Sequence, residues 1–178
     1  MAAHYYYKPL PKNTIKIEDI TPNAQNQEIL YKLKQNDSSF NKLGISNGSY
    51  EGDWRDGTTY IPGEREDISW LGCFLGKNSY VKELVVTTSI DDTFYKGLSC
   101  NKSIQKIHIL HIDLSDGQIF HVLDPFKQKH SKLNEIKLYN CTLGTEGALQ
   151  LSVALGRFNT KSLKKITVCH IIKLEKDK

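Results

Sequence analysis

The sequence is short of the features that mark several large classes of protein. It has one methionine, five prolines and four cysteines among 178 residues. No run approaches the roughly 18 apolar residues that a bilayer-spanning helix needs. The N-terminus reads Tyr5-Tyr6-Tyr7-Lys8-Pro9 where a secretory leader would place an apolar stretch. Charge of one sign is also missing, since 24 Lys plus Arg face 20 Asp plus Glu for a net +4. A nucleic-acid groove would concentrate its basic residues in a patch. The cysteines, at 73, 100, 141 and 169, include no Cys-x-x-Cys pair. Reduced thiols in an intracellular protein, with the cytoplasm as the expected compartment, account for them most simply; an extracellular disulfide pair is the alternative.

What is present is a spacing. Ile104-x-x-Ile107-x-Ile109, Leu133-x-x-Ile136-x-Leu138 and Leu163-x-x-Ile166-x-Val168 align without gaps. Val81-x-x-Leu84-x-Val86 and Phe40-x-x-Leu43-x-Ile45 share the pattern, and a degenerate copy from Lys12 keeps Ile15 and Ile17. Successive copies start 28, 41, 23, 29 and 30 residues apart. In each, positions 4 and 6 point to one side of a short strand, because side chains alternate with a period of two. A strand with one buried face cannot hold a core alone. Stacking the copies makes a parallel ladder, with a helix or loop in each return crossing.

The crossings carry helical spacing. Leu143, Gly147, Leu151 and Leu155 fall on one stripe, with Gly147 allowing the helix to lie close to the sheet and Gly156 as a stop. The preceding crossing offers Ile112, Leu114, Val122 and Phe126, and Pro125 predicts an interrupted helix there. Thr21-Pro22 reads as a helix cap and first turn leading to Ile29, Leu30 and Leu33. A helix over 67–75 should stop at Gly76, and a short helix or turn should lie around 93–98.

Residues Leu133 through Leu155, with Cys141 at the ninth place and Gly147 at the fifteenth, resemble the leucine-rich repeat family in its ribonuclease-inhibitor-like subclass. The other copies match that family mainly over their strands. The resemblance implies an α/β fold, a short solenoid with parallel strands on the concave face and helices or irregular crossings on the convex face. It also implies a side-chain bond from Cys141 to neighbouring backbone, and a protein-binding role. A Rossmann-like layer is the competing architecture, but no glycine-rich phosphate loop follows any strand.

The expected organisation is an N-terminal arm at 1–11 and a repeat domain at 12–178, with an insertion at 47–66. Asn47-Gly48, Asp56-Gly57 and Pro62-Gly63 mark that insertion as an excursion built of turns. Its Tyr50 to Gly57 stretch also resembles one unit of a membrane-occupation repeat, a coincidence of loop composition. The last copy stops before the residues of a return helix, so an incomplete repeat or a self-associating uncapped end is expected.

Positions 3, 5 and 7 should line the open strand face. Position 3 reads Lys42, Glu83, Lys106, Glu135 and Lys165, a row of alternating sign that places opposite charges on adjacent strands. Positions 5 and 7 bring together His108, Leu110, Lys137 and Tyr139, a mixed patch with tyrosine as the natural anchor. Trp54 and Arg55 of the insertion are the second candidate contact. No metal site, cofactor or catalytic centre is expected. His108 and His111 straddle a strand end without zinc-finger spacing. Asp113 and Asp116 suit helix-entry caps, and Glu51, Asp53 and Asp56 suit a solvated turn. The favoured function is non-catalytic binding of a protein partner on the concave face. The alternative is nucleic-acid association through Lys8, Lys12 and Lys16 with Tyr5 to Tyr7, and through Lys161, Lys164 and Lys165.

Overall fold

The computed structural model describes residues 15–48, 58–64, 66–156 and 162–169. Trp54, Arg55, Glu51, Asp53, Asp56 and the tyrosine-rich start lie outside these residues. The elements run α1 (Ile17–Ile20), α2 (Ala24–Gln35), β1 (Lys42–Ile45), β2 (Thr59–Tyr60), α3 (Ser69–Lys77), β3 (Glu83–Val86), α4 (Asp92–Leu98), β4 (Lys106–Leu110), α5 (Ile119–Leu123), β5 (Glu135–Tyr139), α6 (Thr145–Gly156) and β6 (Lys165–Cys169). A 3-10 turn at Asp124–Lys127 follows α5, with Pro125 in its first positions, as the proline predicts.

The six strands among the described residues form one parallel sheet in the order β2-β1-β3-β4-β5-β6. The register is the one the repeated spacing demands. Leu84, Ile107, Ile136 and Ile166 are successive partners, and so are Val86, Ile109, Leu138 and Val168. The inward residues of β1, β3, β4 and β5 are fully buried, together with the entry residues Phe40, Val81, Ile104 and Leu133. This strand order also occurs in doubly wound sheets. The difference is that each helix here packs on the next, α2 on α3 through to α5 on α6, as one convex layer. The other strand face carries the half-exposed His108, Lys137 and Tyr139. The architecture is an α/β solenoid.

Several local expectations are corrected. The degenerate first copy is no strand: Ile17 opens the single turn of α1, and the place beside β1 belongs to β2, from within the insertion. Asn23, not Thr21, caps α2, its Oδ1 accepting from Asn26 N at 3.0 Å. Thr21 is buried instead and donates its hydroxyl to Glu66 Oε2. Gly76 lies inside α3 rather than ending it. A Cβ there would sit 2.1 Å from Gly97 O, and one on Gly72 would sit 2.3 Å from Phe94 O, so these glycines let α3 and α4 touch backbone to backbone. Gly147 has the same use. Its absent Cβ makes room for Leu114 O of the preceding crossing, not for the sheet.

Two polar devices hold the layers together. Cys141 is buried, with Sγ 3.4 Å from Ile109 O and 3.5 Å from Tyr139 O, in keeping with the backbone bond expected at its position. Burial pushes its thiol pKa up. On the strand-entry side, Asn78 Oδ1 accepts from Tyr80 N and Val81 N, and Asn101 Oδ1 accepts from Ser103 N and Ile104 N. Asn101 Nδ2 also reaches back to Leu75 O at 2.7 Å. Each buried amide therefore shapes its own turn and reaches the unit before, Asn78 Nδ2 donating to Leu33 O at 3.5 Å.

Candidate functional site

The open face is built by the alternation that fills the core. Lys42, Glu83, Lys106, Glu135 and Lys165 are register partners in a single row across five strands. Adjacent strands are about 4.8 Å apart, so each charge has an opposite one within reach. The Glu135–Lys165 pair closes to 3.0 Å, and this neighbouring ammonium holds the Glu135 carboxyl below its usual range.

His108 occupies the centre of the next row. Its Nδ1 is 3.7 Å from Glu83 Oε1 and its Nε2 is 4.0 Å from Glu135 Oε1. Neither distance makes a hydrogen bond, and Nε2 is buried without a partner. Burial lowers the His108 pKa, and the two carboxylates oppose that shift only in part. Burial thus favours the uncharged ring, even with two carboxylates beside it. Protonation there would place a positive ring between Glu83 and Glu135, the latter already bonded by Lys165.

Lys137 and Tyr139 flank this centre on β5. Lys137 Nζ stands 5.6 Å from the Tyr139 ring centroid, within cation–π range. The His111 ring meets Tyr139 edge-on at 5.7 Å. His111 and Asn140, one after each strand exit, both adopt a left-handed backbone with φ of 59° and 51°, and Asn140 Nδ2 lies 2.8 Å from His111 Nδ1. Two turns of one shape thereby frame the aromatic group. Leu110 shares the face but is only 4% exposed, and Val85 is 1% exposed. The accessible part of the patch is therefore His108, Lys137, Tyr139 and His111, which the sequence reading left outside it.

Among the described residues, no group of three or more His, Cys, Asp or Glu could hold a metal ion. Asp113 and Asp116 serve the turns instead, accepting from Ser115 N and Gln118 N. All four cysteines are free thiols. Of the lysines in the nucleic-acid alternative, Lys165 is engaged by Glu135, and Lys8, Lys12 and Lys161 lie outside the described residues. No described helix is long and apolar enough to cross a membrane.

A one-layer parallel sheet with an open inner face and helices packed on its back defines a leucine-rich-repeat-like solenoid. Among solved structures, the fold is similar to that titled "Leiomodin-1 Actin-Binding Site 2 (ABS2)", with a TM-score of 0.57 over 83% of this chain and 80% of that one. Identity over the match is 19%, so the likeness extends to the fold alone. Neither protein-family models nor curated proteins give a match to the sequence.

Proposed function

We propose that this chain is a non-catalytic protein-binding module that engages its partner on the concave strand face, in an intracellular setting. The observation that carries the reading is His108, set between Glu83 and Glu135 with Nε2 buried and unbonded, beside an accessible Lys137–Tyr139 pair. Such a face meets a partner with charge of both signs, one aromatic anchor and a polar atom in need of a bond. These are features of interface centres, where tyrosine contributes area at low entropic cost. The rigid sheet beneath adds little ordering cost on docking. The ribonuclease-inhibitor-like subclass belongs to this proposal, as does a second contact through Trp54 and Arg55. Self-association through the end beyond β6 is a further element of it.

The test is affinity capture from native lysate with the parent chain, Tyr139→Glu, His108→Glu and a convex-side control, Gln150→Glu. A partner retained by parent and control, and lost by both face variants, supports the reading. Equal recovery of every partner by all four chains overturns it. Folding of each variant is checked by circular dichroism.

A further inference from the structure

A feature apart from the concave face lies on the side where the chain enters the strands. A cleft of about 430 Å³ opens there, lined by Gly76, Lys77, Asn78, Ser79, Cys100, Lys102, Ser103 and Lys132. Its lysines come from three places: the last turn of α3, the turn before β4 and the turn before β5. No carboxylate lines it. Among the described residues, none of these three ammonium groups has an ion pair or hydrogen bond, whereas Lys32, Lys127 and Lys165 are each paired with an acid.

The negative end of α3 explains one cation, Lys77. It does not explain Lys102 and Lys132, and three carbonyls of the floor are already bonded. Phe74 O and Leu75 O accept from Asn78 N, and Leu75 O also accepts from Asn101 Nδ2. Asn78 O accepts from Asn101 Nδ2 and from Ser103 Oγ at 2.9 Å. The floor is a satisfied and buried amide network, and the rim is cationic without counter-charge.

We propose that this cleft binds a phosphate-bearing ligand of diphosphate size or larger. Lysine binds phosphate as a compact point charge with three donors, and three of them on separate turns suit tetrahedral oxygens approached from several directions. The volume falls within the roughly 300–1,000 Å³ of small-ligand sites and exceeds what a single small anion fills. The Ser79 hydroxyl at the rim adds a neutral donor.

The test is isothermal titration of the full chain with inorganic diphosphate and tripolyphosphate, then with ADP to separate free from nucleotide-borne phosphate. All titrations are run at matched ionic strength. Saturable one-to-one binding is expected, tighter for tripolyphosphate than for diphosphate. Lys102→Ala and Lys132→Ala should each weaken it by about tenfold, the loss of one charge-assisted bond. Lys127→Ala, remote and paired with Asp124, should leave it unchanged. ADP binding at diphosphate strength or better indicates a nucleotide, and much weaker binding indicates free polyphosphate; both fit the proposal. An equal response to sulfate, or an affinity unaltered by both cleft substitutions, overturns it.

Discussion

The two edges of the sheet share one construction rule and end differently. At the β2 edge, Tyr60 is fully buried and its hydroxyl donates to Glu66. Asn26 of α2 bonds the Ile61 peptide at both ends, donating to Ile61 O at 2.7 Å and accepting from Ile61 N at 3.0 Å, while Gln25 Nε2 donates to Thr59 O. A helix thus supplies the bonds that a neighbouring strand would otherwise make. At the β6 edge the same apolar spacing leaves Ile166 43% and Val168 46% exposed, although their partners Ile136 and Leu138 are wholly buried. The pattern of a strand therefore decides which face is apolar. Whether that face is buried depends on the layer beyond it, as expected where each repeat is stabilised by its neighbours.

Equivalent truncations should expose this asymmetry most strongly. Ile136→Ala is expected to cost about 2–5 kcal/mol, as for other fully buried aliphatic side chains. Ile166→Ala, at the same position one strand later, should cost about 1 kcal/mol or less. Urea unfolding of both variants checks this, and equal losses would break the comparison. Asn26→Ala comes next. It leaves the backbone N–H and C=O of Ile61 short of their partner, at about 1–3 kcal/mol, and should raise amide exchange at Ile61 before exchange in β4 or β5.

A pH titration probes the region between the edges. Because burial lowers the folded-state pKa of His108, the unfolded chain binds the proton more readily. The His108 contribution to stability is therefore fully present above the unfolded value of about 6.5 and is lost as pH falls from there through the folded pKa. Glu83 on β3, Glu135 and Lys137 on β5, and Lys106 on β4 are the charges that face the ring or share its row. Proton NMR should place the His108 midpoint below 6.5, and His108→Asn should flatten the stability profile between pH 5 and 7. The smallest effect belongs to Lys165→Ala. Its partner-bound but exposed ammonium should contribute about 0–1 kcal/mol, which thermal unfolding at low and high salt would resolve.

Much of the sheet was legible because a two-residue period joined to a repeat interval leaves few alternatives. The positions of β1, β3, β4, β5 and β6, their direction and the charge row all follow from the 1-4-6 spacing. The short helix or turn expected around 93–98 is a helix at 92–98, and the break at Pro125 follows from local chemistry. What escaped depends on tertiary partners. Thr59–Tyr60 is too short to announce a strand, and it becomes one only against β1 and the amide of Asn26. Gly72, Gly76 and Gly97 show their purpose only where two backbones meet. The buried amides had a usable signal: Asn78 and Asn101 each stand three residues before the entry residue of a strand, as Asp37 does before Phe40. In the candidate face, the residue types at His108, Lys137 and Tyr139 were readable. The closure over Leu110 and the inclusion of His111 were not, because both depend on neighbouring turns.

The stack of strands can be measured across its width. Spin labels at Lys42 and Lys165, on β1 and β6, are four strand steps apart, about 19 Å between backbones. Pulsed dipolar spectroscopy should return one narrow distribution near that span, widened by the label arms. A distribution centred far beyond it, or two separate populations, would contradict a single parallel layer.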